Sequence, residues 1–103
     1  MSTIRVRAKA KDGLVTVKCL IRHPMETGQR TDITTGQLVP AHYIQELQCD
    51  LEGTRVLTAA WGPSVSQNPY LSFILSGAAP GDTLTISWTD NKGQSDSVEA
   101  VID

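Results

Sequence analysis

Thr83-Leu84-Thr85-Ile86-Ser87-Trp88-Thr89 is a strand written in alternation: three large apolar side chains interleaved with four hydroxylated ones. Successive strand side chains point to opposite faces, so Leu84, Ile86 and Trp88 share one face and the hydroxyls share the other. A sheet with one apolar face and one wet face is characteristic of antiparallel architecture. Working outward, Pro80-Gly81-Asp82 opens the strand and Asn91-Lys92-Gly93 closes it. Both are turn sequences in which glycine supplies the backbone angles a tight reversal needs.

The same period of two recurs along the chain. Ile4, Val6 and Ala8 alternate with Arg5, Arg7 and Lys9, and Val15, Val17, Cys19 and Ile21 alternate with Thr16, Lys18 and Arg22, Leu20 breaking the pattern. Lys11-Asp12-Gly13 reads as the hairpin between these two runs, and Glu52-Gly53 as the hairpin between 43–51 and 54–61. Seven strands are predicted, near 3–10, 14–22, 42–51, 54–61, 70–76, 82–90 and 94–102. Seven short strands in 103 residues point to an all-β fold, an immunoglobulin-like antiparallel β-sandwich in one domain, 1–103.

Composition narrows the function. The formal net charge is −2 and 19% of residues are charged, without the basic balance that neutralising nucleic-acid phosphates requires. No apolar run approaches the ~20 residues that cross a bilayer. The first residues, Met1-Ser2-Thr3-Ile4-Arg5-Val6-Arg7, have no apolar export region and by themselves indicate the cytoplasm.

Two connections break the alternation: 23–41, which starts His23-Pro24-Met25-Glu26-Thr27-Gly28, and 62–69, Gly62-Pro63-Ser64-Val65-Ser66-Gln67-Asn68-Pro69. Long loops on a rigid sandwich are where binding residues concentrate. Partner contacts are accordingly expected at His23, Met25, Glu26, Asn68 and Tyr70, with Trp61, Phe73 and Trp88 in the core. The basic run Arg5-Arg7-Lys9 reads as a solvated strand face that discourages edge-to-edge aggregation.

Catalytic and metal chemistry find little support. Cys19, His23, His42 and Cys49 invite a zinc set, but the spacing is not that of a zinc finger. On a regular strand His42 and Cys49, seven apart, face oppositely. A Cys19–Cys49 disulfide is an alternative, and free thiols in the core fit both positions better. Ser64 or Ser66, His23 or His42 and Asp32 supply the residue types of a hydrolytic triad without a Gly-x-Ser-x-Gly elbow. The expectation is therefore no catalytic residues, no cofactor and no metal. A sulfur-transfer or ligand-binding domain using Cys19 or Cys49 is the alternative.

Four segments in order carry a family resemblance: Ile21-Arg22-His23-Pro24-Met25-Glu26-Thr27-Gly28, Pro40-Ala41-His42-Tyr43-Ile44, the 61–73 stretch from Trp61-Gly62-Pro63 through Asn68-Pro69-Tyr70-Leu71-Ser72-Phe73, and Trp88-Thr89-Asp90-Asn91-Lys92-Gly93. Together they resemble the SoxZ family across nearly the whole chain. The resemblance implies a non-catalytic subunit that binds a SoxY-like carrier, a heterodimer open to higher assembly and to transient contact with other Sox enzymes. In that family the carrier's flexible C-terminal Gly-Gly-Cys-Gly-Gly arm holds thiosulfate-derived sulfur. The present chain ends Ser97-Val98-Glu99-Ala100-Val101-Ile102-Asp103, without such an arm. The resemblance also implies a periplasmic location, reached by export with a signal-bearing partner, against the plain reading of the N-terminus.

Overall fold

The structure is a computed structural model and describes residues 2–103. Seven antiparallel strands make two sheets: β1 (Ile4–Lys11), β2 (Leu14–Ile21), β3 (Ile44–Leu51), β4 (Thr54–Ala60), β5 (Tyr70–Ser76), β6 (Thr83–Asp90) and β7 (Ser95–Val101). One sheet runs β1-β2-β5 and the other β4-β3-β6-β7, the two-layer solution for strands with a single apolar face. Three hairpins (β1–β2, β3–β4, β6–β7) stay within a sheet, and the other three connections cross between sheets. The β-sandwich read from the alternation is the observed architecture.

The core is the set of residues whose parity the sequence marks as inward. Val15, Val17, Cys19 and Ile21 from β2 meet Ile44, Leu47 and Cys49 from β3 and Leu84 and Ile86 from β6, all with no solvent exposure. Trp88 is buried with them, while Trp61 and Phe73 are only partly covered. No buried side-chain nitrogen or oxygen among the described residues lacks a hydrogen-bond partner.

Strand β3 departs from regular pleating. Its register against β6 shifts between Ile44 and Glu46, and its register against β4 shifts between Cys49 and Asp50. The first irregularity lets Ile44 and Leu47, three apart, both face the core. A bulge of this kind resets side-chain parity. The parity expectation that His42 and Cys49 face oppositely is thus corrected, because it assumed a regular strand.

The long β2–β3 connection is not a structureless loop. Its two limbs approach as an antiparallel arm, with bridges Glu26↔His42 and Thr31↔Leu38 and backbone bonds Val39 N–H to Arg30 O and Asp32 N–H to Gln37 O, both 2.8 Å. At its tip Ile33 is 98% exposed. The Cα radius of gyration, 15.7 Å, exceeds the roughly 13 Å of a compact domain this long, as an arm anchored at its base and exposed toward its tip would produce.

Candidate functional site

One end of the sandwich collects the ends of β2 and β6, the starts of β3 and β5, and both long connections. Asp90 is the hub. It continues the inward parity of Leu84, Ile86 and Trp88 by one more step, so a carboxylate lies where an apolar side chain is the rule. His23 Nε2 donates to Asp90 Oδ2 at 3.0 Å and His42 Nε2 to the same oxygen at 2.7 Å. The other oxygen, Oδ1, accepts the Lys92 and Gln94 backbone N–H groups at 3.0 and 2.9 Å. Burial pushes the Asp90 carboxyl up, but the bonds from His23, Gln94, His42 and Lys92 outweigh it and hold the group below the ordinary carboxylate value. Donors to the ionised form favour it.

The rings pack as well as bond. His23 and His42 meet edge-on at a centroid separation of 4.5 Å, and His23 meets Trp88 at 5.1 Å. Met25 N–H donates to His23 Nδ1 at 3.2 Å, so the proton of a neutral His23 is on Nε2, facing Asp90. The loops are tied to this hub by backbone. His23 N–H donates to Asn68 Oδ1 and Asn68 N–H to His23 O. Asn91 binds Tyr43 N–H through Oδ1 and Ala41 O through Nδ2.

His23, His42 and Asp90 offer three ligand atoms within 4.8 Å of one another. Two imidazoles and a carboxylate are a set divalent metals accept. The hydrogen bonds speak against that use. A metal-bound imidazole donates through its second nitrogen, whereas the second nitrogen of His23 accepts from Met25. His23 is thus built to donate its Nε2 proton to a carboxylate, and the triad serves as a clamp. The zinc set weighed from sequence does not assemble: the two histidines meet Asp90, and Cys19 and Cys49 are free and buried in the core. Desolvation, helped at Cys19 by the adjoining Cys49 thiol and at Cys49 by the Asp50 carboxylate, pushes Cys19 up to about 12 and Cys49 up to about 11.

The residues expected to touch a partner divide in two. His23 and Met25 are buried, Met25 at 5% exposure with Ile44 N–H directed at its sulfur. In the chain by itself neither side chain is presented at the surface. Met25 stands after Pro24 with φ of 50°, a backbone turn that aims the side chain back into the core. Glu26 is half-buried and paired with Arg30 at 2.9 Å. Asn68 and Tyr70 are exposed. Asp90 had no place among the expected residues, although parity alone marked it: a carboxylate at the fourth inward position of β6.

A second feature lies on the outer face of the β1-β2-β5 sheet. Across the strands the rows read Arg5–Leu20–Tyr70, Arg7–Lys18–Ser72, Lys9–Thr16–Ile74 and Lys11–Leu14–Ser76. Leu14, Leu20, Tyr70 and Ile74 are all large and exposed. Two shallow hollows of about 400 and 280 Å³ lie along this face, both reaching Arg5 and Leu20.

Comparison with known proteins gives one finding. A family profile described as sulphur oxidation protein SoxZ matches residues 4–101. No curated protein matches the chain. The profile spans all seven strands and both long connections, and it agrees with the resemblance read from the four loop segments. The chain belongs to the SoxZ family of sulphur oxidation proteins.

Proposed function

We propose that this chain is the non-catalytic subunit of a sulfur-compound carrier complex. It binds a SoxY-like subunit whose terminal cysteine arm holds thiosulfate-derived sulfur while separate enzymes process it. The complex works in the periplasm, where the chain arrives bound to its signal-bearing partner. The single observation that carries this reading beyond family membership is the state of the two thiols. A carrier cysteine must be exposed, mobile and partly ionised. Cys19 and Cys49 are fully buried on central strands, with pKa values pushed up to about 12 and 11. An adduct on either would overpack a closed core, at ~1–3 kcal/mol or more. The chain therefore supports sulfur chemistry that takes place on another polypeptide.

The test is co-expression with a SoxY-like chain, purification through a tag on the present chain, and intact mass spectrometry after thiosulfate loading. Co-elution is expected, with added sulfur on the partner alone. An adduct mapped to Cys19 or Cys49 would establish the alternative, a sulfur-transfer domain. Failure to co-elute would remove the partner reading.

A further inference from the structure

The β1-β2-β5 outer face concentrates charge of one sign. Six of the nine Lys and Arg residues, Arg5, Arg7, Lys9, Lys11, Lys18 and Arg22, fall within an 18-residue span. Five of them lie on that face, and Arg22 lines a hollow at its end. Neither strand contributes an acid there, and β5 contributes only Tyr70, Ser72, Ile74 and Ser76. Among the described residues none of the six forms an ion pair; the Lys and Arg residues that do are Arg30 and Arg55. Asp12, in the β1–β2 turn, is the one acid within that span, and the remainder of the chain has three Lys or Arg against ten Asp and Glu. The face is thus a positive patch on an otherwise acidic molecule.

Two features set it apart from a merely solvated sheet. Arg7 and Lys18 are directly opposed on neighbouring antiparallel strands, an arrangement of like charges that destabilises the free sheet. Leu20 and Tyr70 are opposed in the next row, and the hollow of about 280 Å³ joins them to Arg5, Arg7 and Lys18. Apolar anchors beside unneutralised cations fit a protein surface that brings carboxylates around an apolar centre.

We infer that the outer face of β1-β2-β5 is the docking surface for the carrier subunit, and that the subunit presents an acidic, apolar-centred patch to it. This rests on the partner reading given above. Steering by opposite charge would make association salt-sensitive, and the carboxylates of the partner would relieve the Arg7–Lys18 repulsion.

The test measures binding of the SoxY-like subunit by calorimetry at 50 and 300 mM NaCl. It compares the wild-type chain, Lys18→Glu, the double variant Arg7→Glu/Lys18→Glu, Tyr70→Ala and the off-face control Lys92→Glu. Circular dichroism melts verify that each variant is folded. The double variant is expected to bind roughly tenfold or more weakly with a flatter salt dependence, and Tyr70→Ala to weaken binding at both salt concentrations. Lys92→Glu is expected to bind within about twofold of wild type. Unchanged binding by the folded double variant would overturn the assignment of this face while leaving the partner reading intact. Absence of binding by the wild-type chain would overturn both. Wild-type binding to phosphatidylglycerol vesicles, lost in the double variant, would reassign the face to a lipid surface. A salt-sensitive dimer of the chain alone, lost in the same variant, would reassign it to self-association.

Discussion

Asp90 stands on one oxygen against two imidazoles and on the other against two backbone amides, so changing it strands several buried donors at once. Asp90→Asn keeps the volume but turns an amide donor toward at least one partner, at a cost of about 2–3 kcal/mol at pH 7. The sign of its pH dependence follows from linkage. The folded-state pKa lies below the unfolded value, so the stabilisation is complete above that unfolded value, ~4, and is lost as pH falls through the folded one. Urea midpoints from pH 7 to pH 2 should show wild type and variant far apart at neutrality and converging below about pH 4. A gap independent of pH would mean that the carboxylate charge is not what stabilises the hub. Met25 gives a second outcome at this scale. At 5% exposure with the Ile44 amide on its sulfur, Met25→Ala should lower stability by about 2–5 kcal/mol. A change below ~0.5 kcal/mol would return Met25 to the surface. The thiols are the third: in the folded chain at pH 8, iodoacetamide should label Cys19 and Cys49 at least about a hundredfold more slowly than in urea.

The arm between β2 and β3 shows how an element can be ordered at its base and free at its tip. Gly28 has φ of +85°, and a Cβ added there would stand 3.1 Å from the Ala41 Cβ on the facing limb. Gly28→Ala therefore meets both the left-handed penalty and a close contact, and should cost about 1–2 kcal/mol, some 4–15 °C in melting temperature for a domain of this size. Ile33→Ser, at a fully exposed tip, should leave the unfolding free energy within about 0.5 kcal/mol of wild type. Equal losses at both sites would show that the arm packs against something along its whole length. The same contrast explains what the sequence made legible. Strand positions followed from the alternation because burial on one face imposes it, and β4 and β5 were bounded by Gly53 and Pro69 as turn chemistry requires. The arm was hidden because its limbs carry no alternation: with both faces solvated, nothing selects apolar residues at every second position. The hub was half legible. His23 and His42 were visible as loop histidines, but their convergence depends on the bulge at Ile44/Glu46, and neither composition nor spacing marks a bulge that lacks a glycine.

At the scale of the whole molecule, charge is segregated to a degree that the net value of −2 conceals. The core and the hub are self-consistent, with polar atoms partnered and apolar parity kept, while the β1-β2-β5 face is left with a cross-strand repulsion that a single substitution would remove. A sequence selected for the stability of the lone chain would place an acid at position 18, opposite Arg7. Lys18→Glu should accordingly raise the stability of the free chain by about 0.2–1 kcal/mol or more, since an opposite-charge cross-strand pair is worth that much relative to Ala–Ala and a like-charge pair is unfavourable, while weakening docking. Salt separates this from a packing effect. The Debye length falls from about 10 Å at 0.1 M to about 3 Å at 1 M, so added NaCl should stabilise the wild-type chain by screening Arg7 from Lys18. In the variant it should instead screen an attraction, and the stability difference between the two should shrink between 20 and 500 mM. Urea denaturation of the isolated chains at both salt concentrations measures this directly. A Lys18→Glu chain less stable than wild type at low salt would show that the repulsion is already relieved within the chain, and the charge-segregation account of the face would lose its physical basis. A more stable variant that docks poorly would identify the repulsion as a cost retained for binding, the trade between stability and function expected at a site selected for association.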